Sequence, residues 1–476
     1  MRALFQCVCM WSPHFETELE LMANHLDQGD EVYVVVCRGE LPACFTNPCH
    51  KKIACLVCYS KLRQGLSILG RKVTLVRYSL DASTIPLEIP EKFANIEELK
   101  TFQIGPLQLG LCAASSLITR INREHRLDTI KYSGDVRKEL RSAYYVYKCF
   151  QKILMECRPD RVYVFNGRFS TTLPVINACE SASVKYFTHE RGGGMTRYLL
   201  LENAIVHDIE YATKDMNTHW ESLPGLEALK RGSTFFEDRR KQVEHSWLSF
   251  TKGQEAGKLP PGFDKRKQNI GIFNSTIEEY AAIRTWPNPI RVYVDEVDAI
   301  SQITGAFIGS PEVHFYLRVH PNLKGYDNSQ TREIAELAKR ISNLTVISPE
   351  STIDSYALME NCSSIVTFGS TMGAEACFWG KPTILLGRAF YETQNVAYIP
   401  RNHAEVIDLL KNLKLEPKPK YGAIKYGFWE LERGIIFKRY LPKSLFSGEF
   451  MGKAIRPSFR TRLLVKVLRA FSKLIH

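Results

Sequence analysis

The stretch that decides the fold reads RVHP at 318–321 and, further along, FGSTMGAEACFWGKPTILLG at 368–387. The apolar run Val313 to Val319 is short enough for a buried parallel strand, and Pro321 ends it where a loop would leave the carboxyl edge of a sheet. A second run, Ser364 to Phe368, stops at Gly369, after which Ser370 and Thr371 bring hydroxyls and backbone N–H groups to the start of a helix. The order is strand, His-Pro turn, helix, strand, Ser/Thr-led helix, strand. First-turn N–H groups lack partners and the helix dipole favours negative charge, so this layout reads as a nucleotide pocket with phosphate as its guest.

Outward from this stretch the alternation continues. NIGIFNST at 269–276, LTVIS at 344–348 and PTILLG at 382–387 supply further strands of the same sheet. Upstream, Ala3 to Met10, Glu31 to Cys37, Arg161 to Phe165 and Val184 to Thr188 read as strands, with a helix from Glu16 to Leu26. Alternating strands and helices imply parallel sheets covered by helices. Between Trp220 and Asn269 the chain turns polar and charged, ending in GQEAGKLPPGFDKRKQ. The expected division is therefore an N-terminal Rossmann-like domain over 1–220, a linker over 221–268, a second Rossmann-like domain over 269–425, and C-terminal helices with a basic tail over 426–476. The fold class is α/β, two doubly wound domains facing a cleft. Such sheets bind ligands outside the carboxyl ends of their strands, so each wall would hold one substrate.

The 476 residues exceed one ordinary core, and 45% hydrophobic with 24% charged residues is the composition of a globular protein. MRALFQCVCMW enters a strand directly, without the pattern of a secretory signal, and no run of about 18 apolar residues suggests a spanning helix. Thirteen cysteines then read as reduced thiols, which places the protein in the cytoplasm. Cys44, Cys49, Cys55 and Cys58, with His50 among them, include one CxxC and leave two readings, a zinc or iron–sulfur site or free thiols, with irregular spacing favouring thiols. The net charge of +12 is concentrated in the tail. At about 100° per residue, Arg462, Lys466, Arg469 and Lys473 fall within an arc of roughly 60°, opposite Leu463, Leu464, Val467, Leu468, Phe471, Leu474 and Ile475. This predicts an interfacial helix on an anionic membrane surface, with a helix packed on the body as the alternative. No nucleic-acid motif accompanies the charge, so nucleic acid is not an expected partner.

RVHP, the distant GST with an acidic residue and GKP, FNGR at 165–168 and HERGGG at 189–194 together resemble bacterial capsule and surface-polysaccharide glycosyltransferases of the GT-B fold. Their relatives include Kdo transferases and bacterial sialyltransferases. The resemblance spans roughly Ala3 to Ile399, in motif order more than in continuous identity. It implies that the loop His320–Pro321 holds the donor nucleotide with Arg318 as a charge partner, and that Ser370 and Thr371 take phosphate oxygens. Glu375, within the following helix, would reach ribose hydroxyls or make a packing contact.

An inverting sugar transfer needs a base for the acceptor hydroxyl. Glu190, after the predicted strand Val184 to Thr188, is the first candidate and His189 the competing one. Arg191, Asn166 and Arg168 would position the acceptor, and Gly192 to Gly194 would leave room for it. Because no DxD-like pair sits at a strand end, positive groups in place of a metal are expected to stabilise the leaving nucleotide, and no cofactor is expected. The expected activity is transfer of a sugar from a nucleotide donor, CMP-linked acid sugars before UDP-sugars, to a polysaccharide or glycolipid acceptor at the inner membrane face. Two alternatives stand beside it: a CDP-polyol phosphotransferase making a teichoic-acid-like polymer, and a non-catalytic assembly factor that binds sugar or nucleotide.

Overall fold

A computed structural model of the chain describes residues 1–474 other than 48, 80–87 and 246–247, with the backbone alone from 468 to 474. The first sheet is built from β1 (Arg2–Gln6), β2 (Glu31–Val36), β3 (Thr74–Arg77), β4 (Arg161–Phe165), β5 (Lys185–Arg191) and β6 (Arg197–Glu202). The second contains β7 (Gln268–Phe273), β8 (Val313–Arg318), β9 (Leu344–Ile347), β10 (Ser364–Thr367) and β11 (Thr383–Leu385). Three C-terminal strands follow: β12 (Ile435–Ile436), β13 (Tyr440–Ser444) and β14 (Ser447–Phe450).

Both sheets share one topology. The parallel core of the first runs β3-β2-β1-β4-β5, and the second runs β9-β8-β7-β10-β11, parallel throughout. The cause is visible in strands such as VYVF of β4, where Val162, Tyr163 and Val164 are all buried, so both faces must be covered by helices. Strand order reverses between β1 and β4 in one sheet and between β7 and β10 in the other. Loops leaving those strands diverge to opposite sides and open a crevice at the carboxyl edge. This is the two-domain, GT-B-like architecture, with one crevice facing the other.

The connections differ from expectation in three places. Strand β5 runs through His189, Glu190 and Arg191, because antiparallel β6 pairs with it as far as Arg191↔Tyr198 and continues the sheet past the predicted end. The segment 221–268 is more than a linker: it begins with the helix Gly225–Arg240, which packs along the helix Lys420–Glu432. The chain after 426 is not only helical. It returns to the first domain, adding β12 antiparallel to β6, then the hairpin β13–β14, then the helix Phe459–Leu474. That last helix is pinned at its start by Ser60 of the helix Lys52–Leu69, which bonds Ser458 N at 2.8 Å and Thr461 Oγ1 at 3.2 Å. Leu463, Leu464 and Val467 beyond it are exposed. The side chains of Arg469, Lys473, Leu468, Phe471, Leu474 and Ile475 lie outside the described residues.

The two domains are tied across the cleft by charged side chains. Arg284 forks onto Glu180 at 2.8 and 3.2 Å, Trp286 Nε1 donates to His207 O at 2.7 Å, and Arg123 donates to Asn322 O at 2.9 Å. The helices Gly225–Arg240 and Lys420–Glu432 touch through Gly232, where a Cβ would fall 2.1 Å from Ile424 O. Forcing them apart should cost about 1–3 kcal/mol, so Gly232→Ala is expected to lower the melting temperature in calorimetry while far-UV circular dichroism stays unchanged.

Candidate functional site

The crevices meet in a cavity of about 520 Å³ whose wall includes Asn166, Arg168 and His207 from the first domain and Glu279, Arg318, His320, Pro321, Ser370, Thr371 and Glu375 from the second. Five arginines line it against three glutamates: Arg168, Arg239, Arg318, Arg388 and Arg433, with Glu279, Glu375 and Glu430. An anionic guest is favoured.

On the second-domain wall, His320 follows β8 and is held by the loop after β7. Its N–H donates to Asn274 Oδ1 at 2.8 Å, and its Nδ1 accepts from Asn322 N at 3.1 Å. An accepting Nδ1 puts the ring proton on Nε2. Burial first, then the nearby charges of Arg123, Arg239 and Arg318, lowers the His320 pKa to about 4, so the ring is a neutral donor at physiological pH. The β7 loop is itself anchored from below by Glu296, which accepts from Ser275 N at 3.1 Å and Tyr280 OH at 2.6 Å and is raised to about 8 by burial.

Thr371 accepts from Arg239 Nη2 at 3.0 Å and donates to Glu375 Oε1 at 3.0 Å, while Arg239 Nε meets the same carboxylate oxygen at 2.9 Å. Tyr356 OH donates to the other oxygen. Glu375 is 1% exposed and committed to these partners, so it orients Arg239 and does not present itself to a ribose. Arg318 is likewise committed: its fork donates to Ser348 O at 2.6 Å and Ser351 O at 3.1 Å, closing the loop after β9. Burial lowers its pKa to about 10. Ser370 Oγ accepts from Met372 N at 3.3 Å.

Asn166 on the first-domain wall donates its Nδ2 to Glu190 Oε2 at 3.0 Å; Glu190 itself lies behind this wall and is not among the cavity-lining residues, and its Oε1 accepts from Arg191 N at 3.0 Å, with His14 Nδ1 at 3.3 Å. Burial works to raise the Glu190 pKa, but His14, Asn166 and the Arg191 N–H outweigh it, and the net shift is downward. The carboxylate is ionised at neutral pH. Its charge acts on both Arg168 and His207, each of which lines the cavity. Arg168 spans the domains, donating to Glu279 O at 3.2 Å and Thr119 Oγ1 at 3.3 Å. Asn166 Oδ1, Arg168 Nε and His207 Nδ1 are buried there with no hydrogen-bond partner among the described residues.

Two candidates lie elsewhere. His189 is wholly buried against Glu18 Oε1 at 3.3 Å and does not reach the cavity. Arg191 turns its guanidinium to Leu445 O at 2.5 Å and Ser12 O at 3.0 Å, away from the cleft. Nor do Gly192 and Gly193 make room for a ligand: a Cβ on either would fall 2.6–2.9 Å from the backbone of Glu430 to Arg433. Among the described residues, no three His, Cys, Asp or Glu side chains gather as a metal site, so Cys44, Cys49, Cys55 and Cys58 form no ligand group. Cys44 Sγ instead contacts Thr46 Oγ1 at 3.1 Å, and Cys55 Sγ accepts from Asn47 Nδ2 at 3.1 Å.

Sequence reading missed Arg239, which ends an amphipathic helix far from GST in the chain, and Glu279, one residue of the loop after β7. Glu279 accepts from Asn322 Nδ2 at 2.9 Å, and burial raises its pKa. The only signal was position: NSTIEE leaves a strand beside the switch point.

Residues 256–406 match the family described as capsule polysaccharide biosynthesis protein. The matched stretch lies largely in the second domain. No curated protein matches the chain. Among solved structures, the β-Kdo 2,4-transferase of Thermosulfurimonas dismutans KpsC is 16% identical with a TM-score of 0.38, covering 57% of this chain and 79% of that one. The β-Kdo 2,7-transferase of the same protein is 14% identical with a TM-score of 0.36, over 67% and 89%. A UDP-GlcNAc 2-epimerase from Neisseria meningitidis is 13% identical with a TM-score of 0.25, over 90% and 99%.

His14, His125 and His320 are each lowered to about 4 and His207 to about 3, all by burial first. The unfolded chain binds these protons near pH 6.5 and the folded chain does not, so stability is complete above 6.5 and is lost as pH falls toward 4. Melting temperatures should fall over that window, and His125→Gln, away from the cavity, should make the fall shallower.

Proposed function

We propose that this capsule-family protein is a glycosyltransferase that takes a sugar from a nucleotide donor held on the second domain and passes it to a carbohydrate acceptor on the first. The observation that supports it is the pairing of two walls: Arg239, His320 and the Ser370–Thr371 turn at one switch point, and an ionised Glu190 behind Asn166 at the other. A pyrophosphate or phosphate leaving group gathers charge as the glycosidic bond breaks. Arg239 and the His320 Nε2–H would meet that charge, with Arg239 kept in place by Glu375. The reading is metal-independent and inverting, with Glu190 taking the acceptor proton in a single displacement. A CMP-linked acid sugar fits best, because its own carboxylate adds a second anion to an arginine-lined cavity. The acceptor is a surface polysaccharide or its lipid-linked form, and the helix Phe459–Leu474 would keep the enzyme at an anionic membrane surface.

Thermal-shift measurements with CMP, CDP, UMP, UDP and GDP test the donor, since a bound nucleotide raises the melting temperature by mass action. Arg239→Ala and His320→Ala are each expected to weaken the best nucleotide by about 1–3 kcal/mol. Equal affinity in both variants would place the nucleotide elsewhere.

Glu190→Gln should leave both ligands bound and lower turnover by about 10²–10⁴-fold, with activity surviving a chelator. Near-normal turnover in this variant would remove Glu190 as the base, and recovery by magnesium after chelation would overturn metal independence.

A further inference from the structure

The C-terminal chain carries an unusual surface. From Lys438 to His476 there are ten lysines and arginines and one acidic residue, Glu449, which leaves +9 of the chain's +12 in this stretch. Seven of the 24 large exposed apolar side chains among the described residues also fall here, from Leu441 to Val467, so the exposure is concentrated and not scattered. Leu441 and Phe446 on the hairpin β13–β14 are 57% and 54% exposed, and Met451 just after it is 51% exposed. Lys438, Lys443, Lys453, Arg456, Arg460, Arg462 and Lys466 are exposed around them.

The parts are contiguous. The Phe446 ring lies 5.1 Å from the Arg191 guanidinium, which also holds Leu445 O and Ser12 O, next to the 55% exposed Trp11. Lys61 Nζ holds Met10 O at 2.6 Å, and its neighbour Ser60 pins the start of the terminal helix. The hairpin, the loop Met10–Pro13 and the helix Phe459–Leu474 thus share one side of the first domain. Arg191 follows Glu190 in β5 and turns its guanidinium from the cleft toward this side.

We infer that this side of the first domain, centred on Leu441, Phe446 and Met451 and flanked by the basic residues, is a docking face for an anionic lipid bilayer into whose headgroup layer the hairpin inserts. Exposed apolar side chains ringed by cations match a surface that offers hydrocarbon beneath negative charge; a free polyanion would use the cations alone. The assignment rests on the surface and stands apart from the transferase reading.

Co-sedimentation of the full-length protein with phosphatidylcholine vesicles, with and without phosphatidylglycerol, at low and high salt, tests it. Wild type should bind the anionic vesicles, more weakly at high salt. Leu441→Ser/Phe446→Ser/Met451→Ser should bind them at least about tenfold more weakly while keeping its nucleotide-induced thermal shift, given the burial each apolar group contributes. Reversing Arg460, Arg462 and Lys466 to Glu should abolish the salt-sensitive part. As a measurement that does not depend on loss, Phe446→Trp should show quenching by brominated lipid beyond that of wild type. No vesicle binding by wild type, a triple-serine variant that binds normally, no added quenching at Trp, or equal binding to RNA would each overturn the docking face; none of these readouts involves turnover, so transferase failure is distinguishable.

Discussion

A carboxylate that is 1% exposed cannot stand without a partner, and much of the cleft is arranged around that constraint at Glu375. The charge is met by Arg239 and by Tyr356 OH, so the helix Gly225–Arg240 must lie with its last turn against the second domain. Burial works against the Arg239 charge, and Glu375 outweighs it and raises the pKa. Thr371 is drawn into the same network. The pair thereby fixes a cation, a hydroxyl and the start of a helix at one point of the cavity wall.

The same helix ties the domains into one body. It packs on Lys420–Glu432, whose downstream chain crosses back to complete the first sheet at β12. Arg439 then closes onto Glu20 at 2.8 Å, a buried carboxylate of the first helix that also accepts from Lys438 N and Arg439 N. Two of these ties thus end in buried or half-buried charge pairs, Arg239 with Glu375 and Arg439 with Glu20. Removing one partner would strand the other, which makes these pairs expensive to break even where their net contribution to stability is small.

Carboxylates around the cavity are pushed in opposite directions by their surroundings. Glu190 is brought down by His14, Asn166 and a backbone N–H, whereas burial raises Glu279 and Glu296. Separation of this kind lets one fold hold carboxylates of different proton affinity at the same pH. Here the one of lower affinity belongs to the first domain, opposite the arginine-rich wall of the second.

Composition and period alone determined the α/β class, the two parallel sheets and the helix-starting turn at Ser370, because buried parallel strands are short apolar runs and GST after such a run has few other uses. They also brought His320 to a strand end at the cleft, whereas Glu190, read as following its strand, lies within β5. The tertiary structure decided the rest. Whether β5 stopped at Thr188 or ran on to Arg191 depended on β6 being beside it, and that pairing turned His189 inward and Arg191 toward the hairpin. Arg239 became part of the wall by pairing with Glu375, a buried carboxylate 136 residues along the chain. Local sequence encodes which residues form a strand or a helix; it does not encode which buried charge, far along the chain, a given arginine will be needed to neutralise.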